Sequence, residues 1–137
     1  MKKIIFILIF LFFAAQANDF INQRQDTMKK IKELVQSSNT LLKERKFNNQ
    51  LANIYQEIAI LLNEFPNLFP ENSLISPSRA KRTILEDPLN FNQLAQEASR
   101  NASMAKNAII NKDMSLFFNS NQQLLDQCNT CHSRYRH

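Results

Sequence analysis

The chain has no glycine, no tryptophan, four prolines and only two cysteines in 137 residues. The missing glycine excludes the most. Type I′ and II′ hairpin turns, phosphate-cradling loops and the dinucleotide fingerprint rely on glycine for positive φ or for close approach of a ligand. Walker-type and Rossmann readings are therefore excluded, and an all-β fold is disfavoured. The length suits one domain and leaves no room for a large multi-domain enzyme.

The first residues read as a targeting segment. Lys2 and Lys3 precede an unbroken apolar run from Ile4 to Ala15, and Ala15-Gln16-Ala17 gives a small-x-small exit. This pattern predicts a secretory signal peptide over residues 1–17, cut after Ala17, with a domain over 18–137. The run falls short of the roughly 20 apolar residues a membrane span needs, and no Cys follows the cut to take a lipid. No stable membrane anchor is expected, and export points to the periplasm. Over residues 18–137 there remain 15 basic and 12 acidic side chains. The cations read as scattered, in short groups such as Lys29-Lys30-Lys32 and Arg79-Lys81-Arg82. They form no stripe for nucleic acid and support only a mild preference for an acidic partner surface.

Four stretches have helical periodicity. The first, from about Phe20, aligns Ile21, Met28, Ile31, Val35 and Leu42, with Asn18 or Asp19 as its cap once the signal segment is cut away. The second carries Phe47, Leu51, Ile54, Ile58, Leu61 and Phe65 at bundle-seam spacing and stops at Pro66. Pro66, Pro70 and Pro77 make the segment up to Asp87 a crossover rather than a further long helix. Asp87-Pro88 opens the third helix, with Phe91, Ala95, Ala98, Ala102, Ala105 and Ile109 on one face. Its alanines admit a close neighbour, either another helix or a flat ligand. The fourth begins near Asp113 and aligns Phe117, Leu124, Cys128, Cys131 and Tyr135. The pattern predicts an all-α, antiparallel four-helix bundle with a long crossover between helices 2 and 3. The many asparagines are expected to take the left-handed helix ends that glycine takes elsewhere.

The two cysteines stand in Cys128-Asn-Thr-Cys131-His132, the c-type haem attachment pattern. On a helix, residues three apart share a face, so both thiols reach the vinyl groups of one haem. His132, four residues from Cys128, brings its imidazole beneath the iron as an axial ligand. A disulfide or thiol redox site is the rival reading. Zinc would need four ligands, and the only other histidine is His137.

This chain resembles the class II c-type cytochromes, the cytochrome c′ fold group. The resemblance rests on the C-terminal motif with its following Tyr135-Arg136, on Arg24-Gln-Asp-Thr-Met28, and on the crossover Phe65-Pro66-Asn-Leu-Phe69-Pro70-Glu-Asn-Ser73. The crossover is similar to that of the low-spin members, the cytochrome c-556 type. Ile84-Leu85-Glu86-Asp87 matches the segment before the family's third helix, with Leu85 where a tryptophan is common.

The resemblance implies one covalently bound haem c, with Met28 as the second axial ligand of a six-coordinate His/Met iron. An ordinary packing methionine on the same seam is the other reading. Met104 and Met114 read as core. Arg24 and Arg136, and also Arg134, are the residues for haem propionates, although a snorkelling surface arginine fits Arg24 as well. Phe117, Phe118 and Tyr135 are core or haem-wall aromatics. The implied function is a periplasmic monohaem electron carrier, not an enzyme, docking weakly and transiently with redox partner proteins as monomer or homodimer. The alternative is a five-coordinate protein of the cytochrome c′ type that binds nitric oxide or carbon monoxide. A haem-free thiol–disulfide protein is the remote third.

Overall fold

Four long helices make the architecture. The structure, a computed structural model, describes the backbone of residues 2–137 and side chains from Ala17 onward. The helices are α1 (Lys2–Lys43), α2 (Asn49–Glu64), α4 (Pro88–Ile110) and α5 (Met114–Tyr135), and α3 (Thr83–Glu86) is one turn within the link between α2 and α4. Together they form the expected antiparallel four-helix bundle. The segment expected to be a signal peptide, residues 1–17, falls outside the described side chains apart from Ala17. Asn18 and Asp19 lie inside α1 instead of capping it. No residue from Ala17 to Phe20 breaks a helix, so a cap there requires the chain to be cut first.

The other helix starts follow from local chemistry. Asn48 accepts from the Leu51 amide at 3.1 Å, Asp87 from Asn90 at 3.4 Å and Asp113 from Leu116 at 3.0 Å. Each satisfies an amide that the first turn leaves without a partner. The helix ends depart from expectation, because the left-handed positions belong to Arg45 (φ 56°) and Lys112 (φ 58°), not to asparagines. At each, the next amide reaches back five residues. Lys46 N–H donates to Leu41 O at 2.8 Å, and Asp113 N–H to Ala108 O at 2.9 Å. These bonds take up carbonyls that the helix ends leave orphaned, and with them the chain bears a Cβ in the left-handed region.

The main core joins Leu51, Tyr55, Ile58 and Leu62 of α2 to Ala98, Ala102, Ala105 and Ala108 of α4 and to Phe117 and Leu124 of α5. α4 lies closest to both α2 and α5. Its alanines, fully buried at 102, 105 and 108, are therefore used for helix–helix approach. This decides between the two uses open to the alanine face: two neighbouring helices take it, not a flat ligand. Small side chains let both backbones come near, and Ser99 Oγ donates to Ala59 O at 2.7 Å across the α2–α4 contact.

α1 behaves differently. It packs on α2 and on the 3₁₀ turns Phe65–Leu68 and Glu71–Ser73 of the crossover, while its backbone stands off from α5. Its buried stripe runs Ile21, Arg24, Ile31, Leu34, Ser38 and Leu41, with Met28, Val35 and Leu42 half-buried beside it. The expected Val35 and Leu42 are thus one position off. Both 34/35 and 41/42 are apolar pairs, and the side on which α2 lies selects the first of each.

Candidate haem-attachment site

The site is built on the last turns of α5, where Cys128, Cys131 and Tyr135 follow Phe117 and Leu124 along the inward stripe. Cys128 packs against the main core. Cys131 packs against a second cluster of Phe65, Ile84, Phe91 and Tyr135, with Leu68, Phe69, Ala80 and Leu94 at its edge. Met28 packs against both clusters. The structure thus brings Met28 of α1 and the two thiols of α5 to one apolar region, on the side where α1 and α5 stand apart.

Edge-to-face aromatics fix the second cluster. Ring centroids lie 5.1 Å apart for Phe65–Phe69, 4.9 Å for Phe69–Phe91 and 5.1 Å for Phe91–Tyr135. This geometry places ring edges on π faces and adds cohesion beyond area burial. The chain holds this wall in place from outside as well. Ala80 and Arg136 form an isolated antiparallel bridge, and Lys81 N–H donates to Tyr135 O at 2.9 Å.

Both cysteines are free and partly buried. Burial pushes both thiols up, and the neighbouring Cys128 adds to the effect at Cys131, which rises to about 11. This is the reverse of a thiol redox site, whose nucleophile is kept as thiolate at neutral pH. Alkylation of haem-free, reduced protein by iodoacetamide is therefore expected to be slow at pH 8, where Cys131 lies about three units below its pKa and about one thiol in a thousand is thiolate. The rate should climb steadily towards pH 11. Fast labelling at pH 7 would show an activated thiol and revive the thiol–disulfide reading.

His132 is exposed, and burial of its ring together with the Arg136 charge lowers its pKa. The imidazole is therefore neutral near pH 7, the form that ligates a metal. Among the described residues no three His, Cys, Asp or Glu side chains come together as a metal site, so zinc lacks its ligand set. Tyr135, 3% exposed, has a hydroxyl with no hydrogen-bond partner. A buried hydroxyl left so is costly, and an acceptor brought in by a bound group would satisfy it. Two inward thiols three residues apart, a neutral imidazole beside them, an apolar wall and an orphaned donor fit a covalently held haem.

Arg24 is placed elsewhere than expected. It is 6% exposed, and its Nη1 donates to Leu68 O at 2.8 Å and Ser73 Oγ at 2.7 Å. Nη2 donates to Ser73 O at 2.8 Å and Ser78 Oγ at 3.2 Å, and the guanidinium carbon lies 4.8 Å from the Phe69 ring centroid. Both terminal nitrogens are thus taken by the crossover rather than held out for a propionate. Burial lowers the Arg24 pKa, which is the cost of holding that charge inside. Arg136 is exposed at the end of α5, as is Arg134. Phe117 is core, whereas Phe118 is 55% exposed. Sequence reasoning missed Ser73, fully buried and bound through both its oxygens to Arg24. Its only local sign was a serine among the crossover prolines.

A family profile described as cytochrome c′ matches residues 19–136. Among solved structures the chain is similar to cytochrome c′ from Rhodopseudomonas palustris, at 24% identity and TM-score 0.74, over 87% of this chain and 96% of that one. Cytochrome c′ from Thermochromatium tepidum aligns at 17% identity and TM-score 0.78, over 88% and 96%. A further cytochrome c′, described as having a ligand-controlled dimer dissociation, aligns at 16% identity and TM-score 0.77, over 88% and 95%. No curated protein sequence matches.

Proposed function

The chain belongs to the cytochrome c′ family, and from that premise we propose a periplasmic monohaem protein whose iron binds a small neutral gas such as nitric oxide or carbon monoxide. The family's cofactor is one covalent haem c. In this reading Cys128 and Cys131 would hold the haem through two thioethers, each from addition of a thiol S–H across a vinyl group, and His132 would ligate the iron. Arg136, one helical turn beyond that residue, would screen a propionate, with Arg134 beside it. When bound, the haem would supply an iron that alternates between ferrous and ferric states and can bind a diatomic gas.

The observation that carries this reading is the apolar packing around Cys131. Phe65, Leu68, Phe69, Phe91 and Met28 belong to the cluster it packs in, and both Nη nitrogens of Arg24 are occupied by the crossover. Such apolar surroundings suit a neutral diatomic, with the Tyr135 hydroxyl as an unpartnered donor in the same cluster. The family comparisons likewise favour the five-coordinate, gas-binding form over a six-coordinate carrier. The role is binding and redox rather than turnover of an organic substrate. Residues 1–17 serve as export signal, and monomer and homodimer are both consistent with the relatives.

One observation favours a second reading. Met28 packs against the clusters of both cysteines, which would make its thioether available as a second iron ligand. His132/Met28 ligation would fill both axial positions, stabilise ferrous iron and make the protein an electron carrier. The visible spectrum of the holoprotein decides between them. A high-spin ferric spectrum, little changed in Met28→Ala, with carbon monoxide binding to the ferrous form, is expected of gas binding. A low-spin spectrum with a thioether charge-transfer band, lost in Met28→Ala, would overturn that reading in favour of the carrier.

A further inference from the structure

The cations that read as scattered along the chain are gathered by the fold. Arg79 and Lys81 lie on the crossover, far in sequence from Arg134 and Arg136, yet the Ala80–Arg136 bridge sets the two segments side by side. Arg79 Nη2 donates to His137 O at 2.7 Å and Lys81 Nζ to Ser133 O at 3.1 Å, and His137 N–H donates to Arg79 O at 2.9 Å. With Arg82 these make five cations around the end of α5 that carries Cys131 and His132. Four are exposed and Lys81 is half-buried. The ion pairs found among the described residues, Lys30–Glu57 and Lys46–Glu44, use none of the five. The carboxylates on the same segments are Glu86 and Asp87, and Asp87 caps α4. Over residues 18–137, positive and negative side chains are equal in number once segments 79–87 and 128–137 are set aside. The whole positive excess therefore sits at this one end.

We propose that this basic collar is the docking surface for an acidic redox protein that exchanges electrons with the haem. The inference rests on the haem assignment but not on the number of axial ligands. Carbon monoxide binds ferrous iron, which must be supplied by reduction, and a six-coordinate carrier must exchange electrons to act at all. A positive end beside the attachment motif draws an acidic partner to the end of α5 that carries Cys131 and His132, and raises its encounter rate. An anionic membrane is the other surface a basic patch attracts. Membrane-surface binding also uses inserted apolar side chains, and none of the exposed large hydrophobics lies in segments 79–82 or 132–137.

The test follows reduction of the ferric holoprotein by photoreduced flavodoxin, an acidic flavin protein, from low to high ionic strength. Arg82→Gln/Arg134→Gln is expected to lower the second-order rate about tenfold at low salt, with the gap closing as salt screens the charges. Lys29→Gln/Lys32→Gln removes the same charge from α1 and should leave the rate within about twofold. Reduction by the uncharged lumiflavin semiquinone should be the same in all three proteins. Equal slowing of both double variants would reduce the effect to net charge and overturn the proposal, as would no slowing in either. Binding to phosphatidylglycerol vesicles that is lost in Arg82→Gln/Arg134→Gln, with the flavodoxin rate unchanged, would assign the collar to a membrane instead. Failure of the haem assignment would show separately, as protein lacking a haem spectrum before any reductant is added.

Discussion

Replacing Cys128 and Cys131 together by alanine is expected to abolish covalent haem completely. Intact mass should fall to that of the polypeptide, and acidified acetone should extract all colour from whatever haem remains. The reason is geometric. The two thiols are the only cysteines, both face inward on α5, and each can form a single thioether. One-cysteine variants should keep part of the haem on one link, so the loss is graded from single to double substitution. The bundle should still form, because its main packing runs through Leu51, Ala102 and Phe117, each fully buried and built without sulfur. Far-ultraviolet circular dichroism should therefore stay strongly helical in the double variant. Covalent haem in that variant, or wild-type protein exported colourless with two reactive thiols, would remove the basis of the proposed function.

Arg24→Ala should be the most destabilising change outside the haem attachment residues, at about 3 kcal/mol. Removing the guanidinium leaves Leu68 O, Ser73 O, Ser73 Oγ and Ser78 Oγ without this donor and takes the cation from the Phe69 ring. For a chain of this size that corresponds to a fall of roughly 10 °C in the thermal midpoint. Arg24→Lys should recover only a fraction, since an ammonium cannot span four acceptors with a rigid planar fork. The spectrum of the holoprotein should barely change at low temperature. A reduction potential whose pH dependence shifts in Arg24→Ala, with melting unaffected, would return Arg24 to the propionate role that its position in sequence suggested.

The contrast between those two expectations marks how far local reading reaches. The attachment motif works within one helical turn, so residue type and spacing were enough to single out Cys128, Cys131 and His132. The helix starts at Asp87 and near Asp113 were legible for the same reason, because a helix start bonds an amide three residues on. The register of α1 was not. Leu34 and Val35 are equally apolar, and only the position of α2 and the crossover chose Leu34 for burial. Alanines on α4 were ambiguous between a helix and a ligand until α2 and α5 were found against them. Arg45 and Lys112 took left-handed helix ends that asparagine would fit more readily, because the turn occurs where those residues stand.

Residue order by itself determined four helices, a proline-marked link and one place where haem can be fastened, since each depends on interactions spanning a few residues. Tertiary structure alone decided that Arg24 bonds Ser73, 49 positions away. It also decided that Met28 packs against the two clusters that the thiols join and that two distant basic segments meet at one end. These are consequences of which surfaces become neighbours when the bundle closes, and no short-range preference specifies that.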